Sequence, residues 1–201
     1  LLTIGVSIMD AFQLSTMRQV GTSAHAGFKF LTQEQYDIVK DDPEIKDISY
    51  NILIGFGENP EFAKKSVEIR YTEEKNAEWG FTVPTTGTLP QNRLDIATST
   101  EVLDMLGLPH ELGVQVPLEF TGAGGIKYNE TFTLCGFWEQ DAVSPVCQAF
   151  LSREYSDEVA PVWQETASAE EGNWWMSGSI NPNICFARSW DIEGQVEALK
   201  A

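Results

Sequence analysis

Hydrophobic residues recur along this chain with two different spacings, and the switches between them mark its elements. Over 48–54, Tyr50, Ile52 and Ile54 fall on one face of a strand. Over 67–71, Val67, Ile69 and Tyr71 alternate with charged residues, as in a strand with one wet face. Residues 114–120 and 126–135 alternate around Gly122-Ala123-Gly124-Gly125 and predict a hairpin, with Phe137 and Trp138 continuing its second arm. Pro117 has no N–H to give a ladder, so that arm belongs at an edge or a bulge. Short strands are expected at 28–31, at 149–151, at 180–186 and in a segment ending at Ile96-Ala97, with a polar turn over 73–76.

Elsewhere the spacing is helical. In residues 1–21, Ile4, Ile8, Phe12 and Leu14 recur at helical intervals, and Asp10 and Arg18 are the only charges. Thr32 opens a second helix: its hydroxyl can cap, Gln35 holds the reciprocal position, and Leu31 and Tyr36 are placed as a hydrophobic staple. That helix ends at Asp41-Asp42-Pro43, where proline disfavours helical geometry before it. A third starts at Thr98 with Glu101 as its capping-box partner and an apolar face of Val102, Leu103 and Leu106. Gly107 fits a left-handed exit and Pro109 forbids continuation. Ser152 caps a brief helix ending before Pro161, and Ser189 caps a last one with Ile192, Val196 and Leu199 on one stripe.

The strand-then-helix at the end repeats the arrangement at 28–41. The expected fold is therefore α+β: a split β-α-β lobe from 23–58 and 178–201, an inserted β-rich lobe over 59–177, and an N-terminal stalk helix over 1–22. The first helix is either an amphipathic packing helix or the outer end of a membrane span, and the second reading is the one adopted.

Charge narrows the partners. With 13 Lys+Arg against 30 Asp+Glu, the net charge is −17. Such a field repels phosphate backbones and anionic lipid headgroups, which argues against nucleic acid as a partner unless metal ions mediate. It either steers cationic ligands, such as a basic peptide, inward or merely keeps an exported domain soluble. Three cysteines, Cys135, Cys147 and Cys185, lack metal-ligand spacing; Cys135 and Cys147 either form a bridge or are small buried thiols.

Catalytic chemistry finds little to work with. His25 near Ser23 is a loop adjacency and no triad, and His110 follows the third helix, where it can meet the helix C-terminus or solvent. The Gly122–Gly125 run lacks the Ser/Thr of a phosphate loop. Asp41, Asp42, Glu44 and Asp47 lack the order and central glycine of an EF-hand. No catalytic, cofactor or metal residue is nominated. The one candidate contact group is Trp174-Trp175-Met176, after the polar loop 164–173: adjacent tryptophans either anchor a partner or divide between core and half-covered surface.

The stretch 87–120, with its Leu-Pro turn, its strand reaching Ile96-Ala97, "Leu-Asp-Met-Leu-Gly-Leu" and "Glu-Leu-Gly-Val-Gln-Val", resembles the extracytoplasmic core domain of FtsX/MacB-like ABC transporter permeases, the Gram-positive type most closely. Arg18-Gln19-Val20-Gly21, Leu31-Thr32-Gln33-Glu34-Gln35, Asp42-Pro43-Glu44-Ile45 and Ser189-Trp190-Asp191-Ile192 fall where such domains have comparable elements. The resemblance implies a porter-like split lobe and a non-enzymatic domain on the extracytoplasmic face of the cell membrane. It implies partners too: transmembrane helices of the same permease, a separate ATP-binding subunit (no Walker motif is present), a dimeric assembly, and a peptide or envelope substrate. The competing expectation is a free-standing secreted binding module for a cationic or carbohydrate ligand, which requires a defined concave pocket and a packed N-terminal helix. A hydrolase using paired carboxylates is a third class, for which the sequence nominates no pair.

Overall fold

The alternating segment around Ile52 becomes β2 (Ile45–Phe56), a strand covered on both faces, with Ile52 and Ile54 fully buried and Leu53 nearly so. The computed structural model describes residues 11, 13–140, 144, 146–165 and 176–187. Along the chain, β2 is preceded by β1 (Ala26–Gly27) and α1 (Gln33–Lys40). It is followed by β3 (Val67–Thr72), α2 (Glu74–Trp79), β4 (Thr86–Gly87), β5 (Asp95–Ser99) and α3 (Thr100–Met105). Then come β6 (Gln115–Thr121), β7 (Lys127–Trp138), β8 (Cys147–Leu151), α4 (Arg153–Val159) and β9 (Ile180–Phe186). The fold is α+β.

All nine strands join one mixed sheet in the order β1-β9-β2-β3-β8-β5-β7-β4, with β6 on the first half of β7. The chain's last described strand, β9, lies between β1 and β2 and is antiparallel to both. Helix α1 connects those two outer strands, and its start has the chemistry read from the sequence. Thr32 Oγ1 accepts the N–H of Gln35 at 3.2 Å, and Gln35 Oε1 accepts the N–H of Thr32 at 3.0 Å.

Six of the strands curl back on themselves. Past the end of β2, Gly57 bridges Phe120 of β6, and the N–H of Glu58 donates to the Glu119 carbonyl at 2.6 Å. The run β2-β3-β8-β5-β7-β6 therefore returns to its starting strand. A bulge makes the turn: Leu53 pairs with Arg70 but Gly55 with Ile69, leaving Ile54 as the extra residue. Only glycine fits at 55, since a Cβ there would lie 2.4 Å from the Thr121 carbonyl oxygen. Pro117 sits on the outer edge of β6, as its missing N–H requires. The side chain of Asn59, 7% exposed, completes the seam: Oδ1 accepts the Glu119 N–H at 2.9 Å and Nδ2 donates to the Pro117 carbonyl at 3.1 Å. One amide side chain serves there as a strand residue would.

Inside the curl lies the main core, built from alternate positions of the six strands: Ile54, Val67, Ile69, Ile96, Val116, Leu118, Phe120, Phe132, Leu134, Cys147, Ala149 and Leu151. Each large apolar side chain sealed there is worth about 1.5–3 kcal/mol. Helix α4 supplies Tyr155, whose ring meets Phe132 edge-on at 5.0 Å. Its start is capped by Ser152 Oγ, which accepts the Tyr155 N–H at 3.1 Å. On the opposite face Trp138 stacks on Phe150 at 5.2 Å, with Ala97 completing a smaller cluster.

Several expectations are corrected. The strand expected at 28–31 is instead β1 at Ala26–Gly27 with a single bridge from Leu31 to Ile180, because Phe30 adopts φ 63° and breaks the extended run. Residues 73–76 are no turn but enter helix α2, whose buried side is made by Asn76 and Ala77, too small and polar to show as periodicity. Helix α3 has Ser99, not Thr98, at its N-cap, without a side-chain cap bond. Thr98 remains in the β5 ladder with its hydroxyl donating to the Gln148 carbonyl at 2.8 Å, and the Glu101 carboxylate goes to Lys65 at 2.8 Å rather than into a capping box. Gly107 does leave the helix at φ +66°. All three cysteines are free thiols. Cys147 faces the core inside the curl and Cys135 packs with the cluster on the other face, so the Cys135–Cys147 bridge does not form. Burial pushes the Cys135 thiol up to about 12 and the Cys147 thiol up to about 11, and neither is a ready nucleophile.

Candidate functional site

The chain arrives at the sheet and leaves its last described strand at one corner. Residues 13–20 are helical, and of these only Met17 is even half-buried; Leu14 is 46% exposed and Val20 71%. The helix stops at Gly21, φ +83°, whose N–H donates to the Met17 carbonyl at 2.9 Å. The chain then runs beside β9. The His25 N–H donates to the Ile184 carbonyl at 2.9 Å, Ala26 pairs with Ile184, and His25 Nδ1 accepts the Phe186 N–H at 3.0 Å. His25 is thus a clip between two distant segments, a role its Gly/Ala loop did not announce.

A second tether runs from the same segment to α2. The Ser23 N–H donates to the Trp79 carbonyl at 2.9 Å, and the Arg18 guanidinium lies 5.0 Å from the centre of the Phe81 ring. Phe81 has φ 56°, a left-handed conformation unusual for a bulky residue. It leads directly into the segment 82–91.

Among the described residues, that segment walls a cleft larger than a second one beside Asn181. The cleft holds about 710 Å³ between residues 71–74, 83–91 and 152–154. Its floor is polar and internally satisfied. Arg153 donates from Nε to Asp157 at 2.8 Å and from a terminal nitrogen to the Tyr50 hydroxyl at 2.8 Å, with its guanidinium 5.4 Å from the Tyr71 ring centre. Glu73 accepts from the Ser49 hydroxyl at 2.8 Å and from the Tyr50 N–H at 3.1 Å. Burial above all raises the phenol pKa values of Tyr50 and Tyr71.

The second cleft, about 560 Å³, lies between residues 20–22, the 27–30 loop and the outer face of β2, β3 and β9. Arg70 donates there to Asn51 and to Glu68, and Asn181 Oδ1 accepts the Phe30 N–H at 3.1 Å, holding the left-handed Phe30 in place. Met176 lines this cleft. Trp174 and Trp175, the other two members of the sequence-nominated group, lie outside the described residues, as does the last helix expected from Ser189. His110 bonds Asp104 through Nε2 at 2.8 Å near the end of α3.

Among the described residues, no three His, Cys, Asp or Glu side chains are grouped to hold a metal, and no helix is long and apolar enough to cross a membrane. Sequence reasoning missed the larger cleft because its residues come from three separated segments, none with a motif; the Thr-Gly-Thr-Leu-Pro turn at 86–90 was the one local signal.

No family model matches this chain, and no curated protein does. Solved structures do. A domain of a Porphyromonas gingivalis protein described as a permease is 16% identical, with TM-score 0.43, covering 89% of this chain and 73% of its own. The extracellular domain of the noncanonic ABC-type transporter YknZ from Gram-positive bacteria is 8% identical, with TM-score 0.46, covering 82% and 77%. The periplasmic region of MacB from Actinobacillus actinomycetemcomitans is 12% identical, with TM-score 0.43, covering 86% and 74%. Likeness of this degree is one of general shape, and shape by itself assigns no activity.

Proposed function

We propose that this chain is the extracytoplasmic domain of an FtsX/MacB-like ABC transporter permease, at the outer face of the cell membrane. The domain contacts substrate or a partner and is moved by transmembrane helices of the same permease. The observation that carries the reading is the shared corner. Every residue of the helix at 13–20 except Met17 is exposed, and the segment after it is clipped to the end of β9 through His25 and Phe186. A domain strung between two membrane spans needs both connections on one side. A free-standing secreted module has no such need and would pack its first helix, whereas Leu14 and Val20 stand in solvent.

In this reading 1–22 is the stalk, 23–58 with 178–201 form the split lobe, and 59–177 form the inserted β-rich lobe. The tethers from Ser23 to Trp79 and from Arg18 to Phe81 support coupling, because displacement of the stalk would act on the wall of the larger cleft. ATP hydrolysis belongs to a separate subunit, the assembly is a dimer, and this domain breaks no bonds. The test uses cells making the complete gene product with the native thiols replaced by alanine and Thr85→Cys, an exposed position, introduced. A membrane-impermeant maleimide added outside should label it, and the protein should stay with membranes until detergent is added. Labelling only after lysis, or a product found in the soluble fraction, overturns the proposal.

A further inference from the structure

We infer that the larger cleft is a binding site for a basic, partly apolar peptide segment. The inference deepens the reading above and rests on its premise that the domain meets ligand outside the cell. Three features converge. The cleft holds about 710 Å³, room for several side chains rather than one ion. Its wall is apolar: Val83 is 40% exposed, and Pro84, Leu89 and Pro90 continue the surface. Its charged lining is unbalanced, with Glu73, Glu74 and Glu154 against Arg153 alone.

The single cation is already committed to Asp157, to the Tyr50 hydroxyl and to the face of Tyr71. Glu73 is likewise occupied by Ser49 and the Tyr50 backbone. Glu74 and Glu154 are exposed and make no ion pair among the described residues. They are left to meet the ligand's cations while the valine, leucine and proline wall takes its apolar side chains. The chain's net charge of −17 adds a long-range field of the same sign. An acidic or neutral peptide would gain the wall and lose the charge term, and an inorganic cation would gain the carboxylates and leave the wall bare.

The test titrates the isolated chain with a capped Arg-Leu-Arg-Leu-Arg peptide, with its Glu-Leu-Glu-Leu-Glu counterpart as control. Affinity is followed by calorimetry and location by amide chemical shifts. The basic peptide should bind, shift amides of 71–74, 83–91 and 152–154, and weaken as salt rises. The double variant Glu74→Gln/Glu154→Gln should bind about tenfold more weakly. Both side chains are exposed, and an unchanged denaturation midpoint would show that the variant is folded. Equal binding of the acidic peptide, shifts confined to the cleft beside Asn181, an unaffected double variant, or no binding at millimolar peptide each overturns the inference. Binding is measured without a membrane and topology without a peptide, so either proposal can fail alone.

Discussion

His25 Nδ1 accepts the backbone N–H of Phe186 at 3.0 Å, joining positions 161 residues apart. The contact extends the two-residue pairing of β1 with β9 by one more bond, and the rings of the two residues stack at 6.2 Å. Because a ring nitrogen accepts, the imidazole there carries its proton on Nε2. So short a strand as β1 gains much from one extra clip.

Replacing that clip should loosen the corner without unfolding the domain. His25→Ala is expected to cost about 1 kcal/mol, the usual worth of one hydrogen bond. Hydrogen exchange is the direct check: the Phe186 amide should exchange several times faster, while amides inside the curl, such as Leu134, stay protected. Unchanged exchange at Phe186 would mean that the bond contributes nothing.

The seam of the curl depends on one amide. Asn59→Ala removes both partners at once, leaving the Glu119 N–H and the Pro117 carbonyl unsatisfied beneath a side chain that is 7% exposed. A loss of about 1–3 kcal/mol in urea denaturation is expected. Asn59→Asp keeps the acceptor but sets a carboxylate against the Pro117 carbonyl, so it should be no more stable than the alanine variant. Full stability in either variant contradicts the role given to Asn59.

Gly55→Ala should be worse than its size implies. The added methyl would lie 2.4 Å from the Thr121 carbonyl oxygen, which is backbone and cannot rotate away. About 1–3 kcal/mol is expected from such crowding, with exchange rising first around Gly57 and Phe120, where the curl closes. A wild-type denaturation midpoint would show that the seam has slack.

Alkaline stability follows from two buried phenols. Burial pushes Tyr36 and Tyr155 up to about 12, against about 10 in an unfolded chain. Above pH 10 the unfolded chain has shed these protons while the folded one keeps them, so the unfolded state binds fewer. The contribution of these two phenols is thus full below about pH 10 and is lost as pH rises through 12, while the raised Cys135 and Cys147 thiols begin a loss of the same sign near pH 9. Denaturation midpoints measured across that window should drop, and Tyr36→Phe should flatten the slope. A flat profile in the wild-type chain would contradict the burial.

Much of this architecture was legible because it rests on local chemistry. The Thr32–Gln35 box, the hairpin around Gly122–Gly125, the Pro117 edge and the Gly107 exit are each decided within a few residues. What stayed hidden is nonlocal. The curl depends on Gly55 meeting Thr121 and Asn59 meeting Glu119, pairs that no window along the chain contains. Local chemistry also misled where tertiary partners outbid it. Thr98 and Glu101 can make a capping box, but Gln148 and Lys65 claim their side chains. Of the nominated contact group, Met176 does line a cleft, yet the larger cleft is assembled by topology from Tyr71, Leu89 and Arg153.

The central claim is that the corner formed by residues 21–27 and 183–187 faces the bilayer. Fluorophores on Thr22→Cys and Ala187→Cys, with the native thiols replaced by alanine, can be read in the complete gene product reconstituted in vesicles that carry nitroxide lipids. Both fluorophores should be quenched, and adding ATP with the proposed ATP-binding partner should change the quenching at both positions. Emission at both sites as bright as in nitroxide-free vesicles would place the corner away from the membrane and end the account.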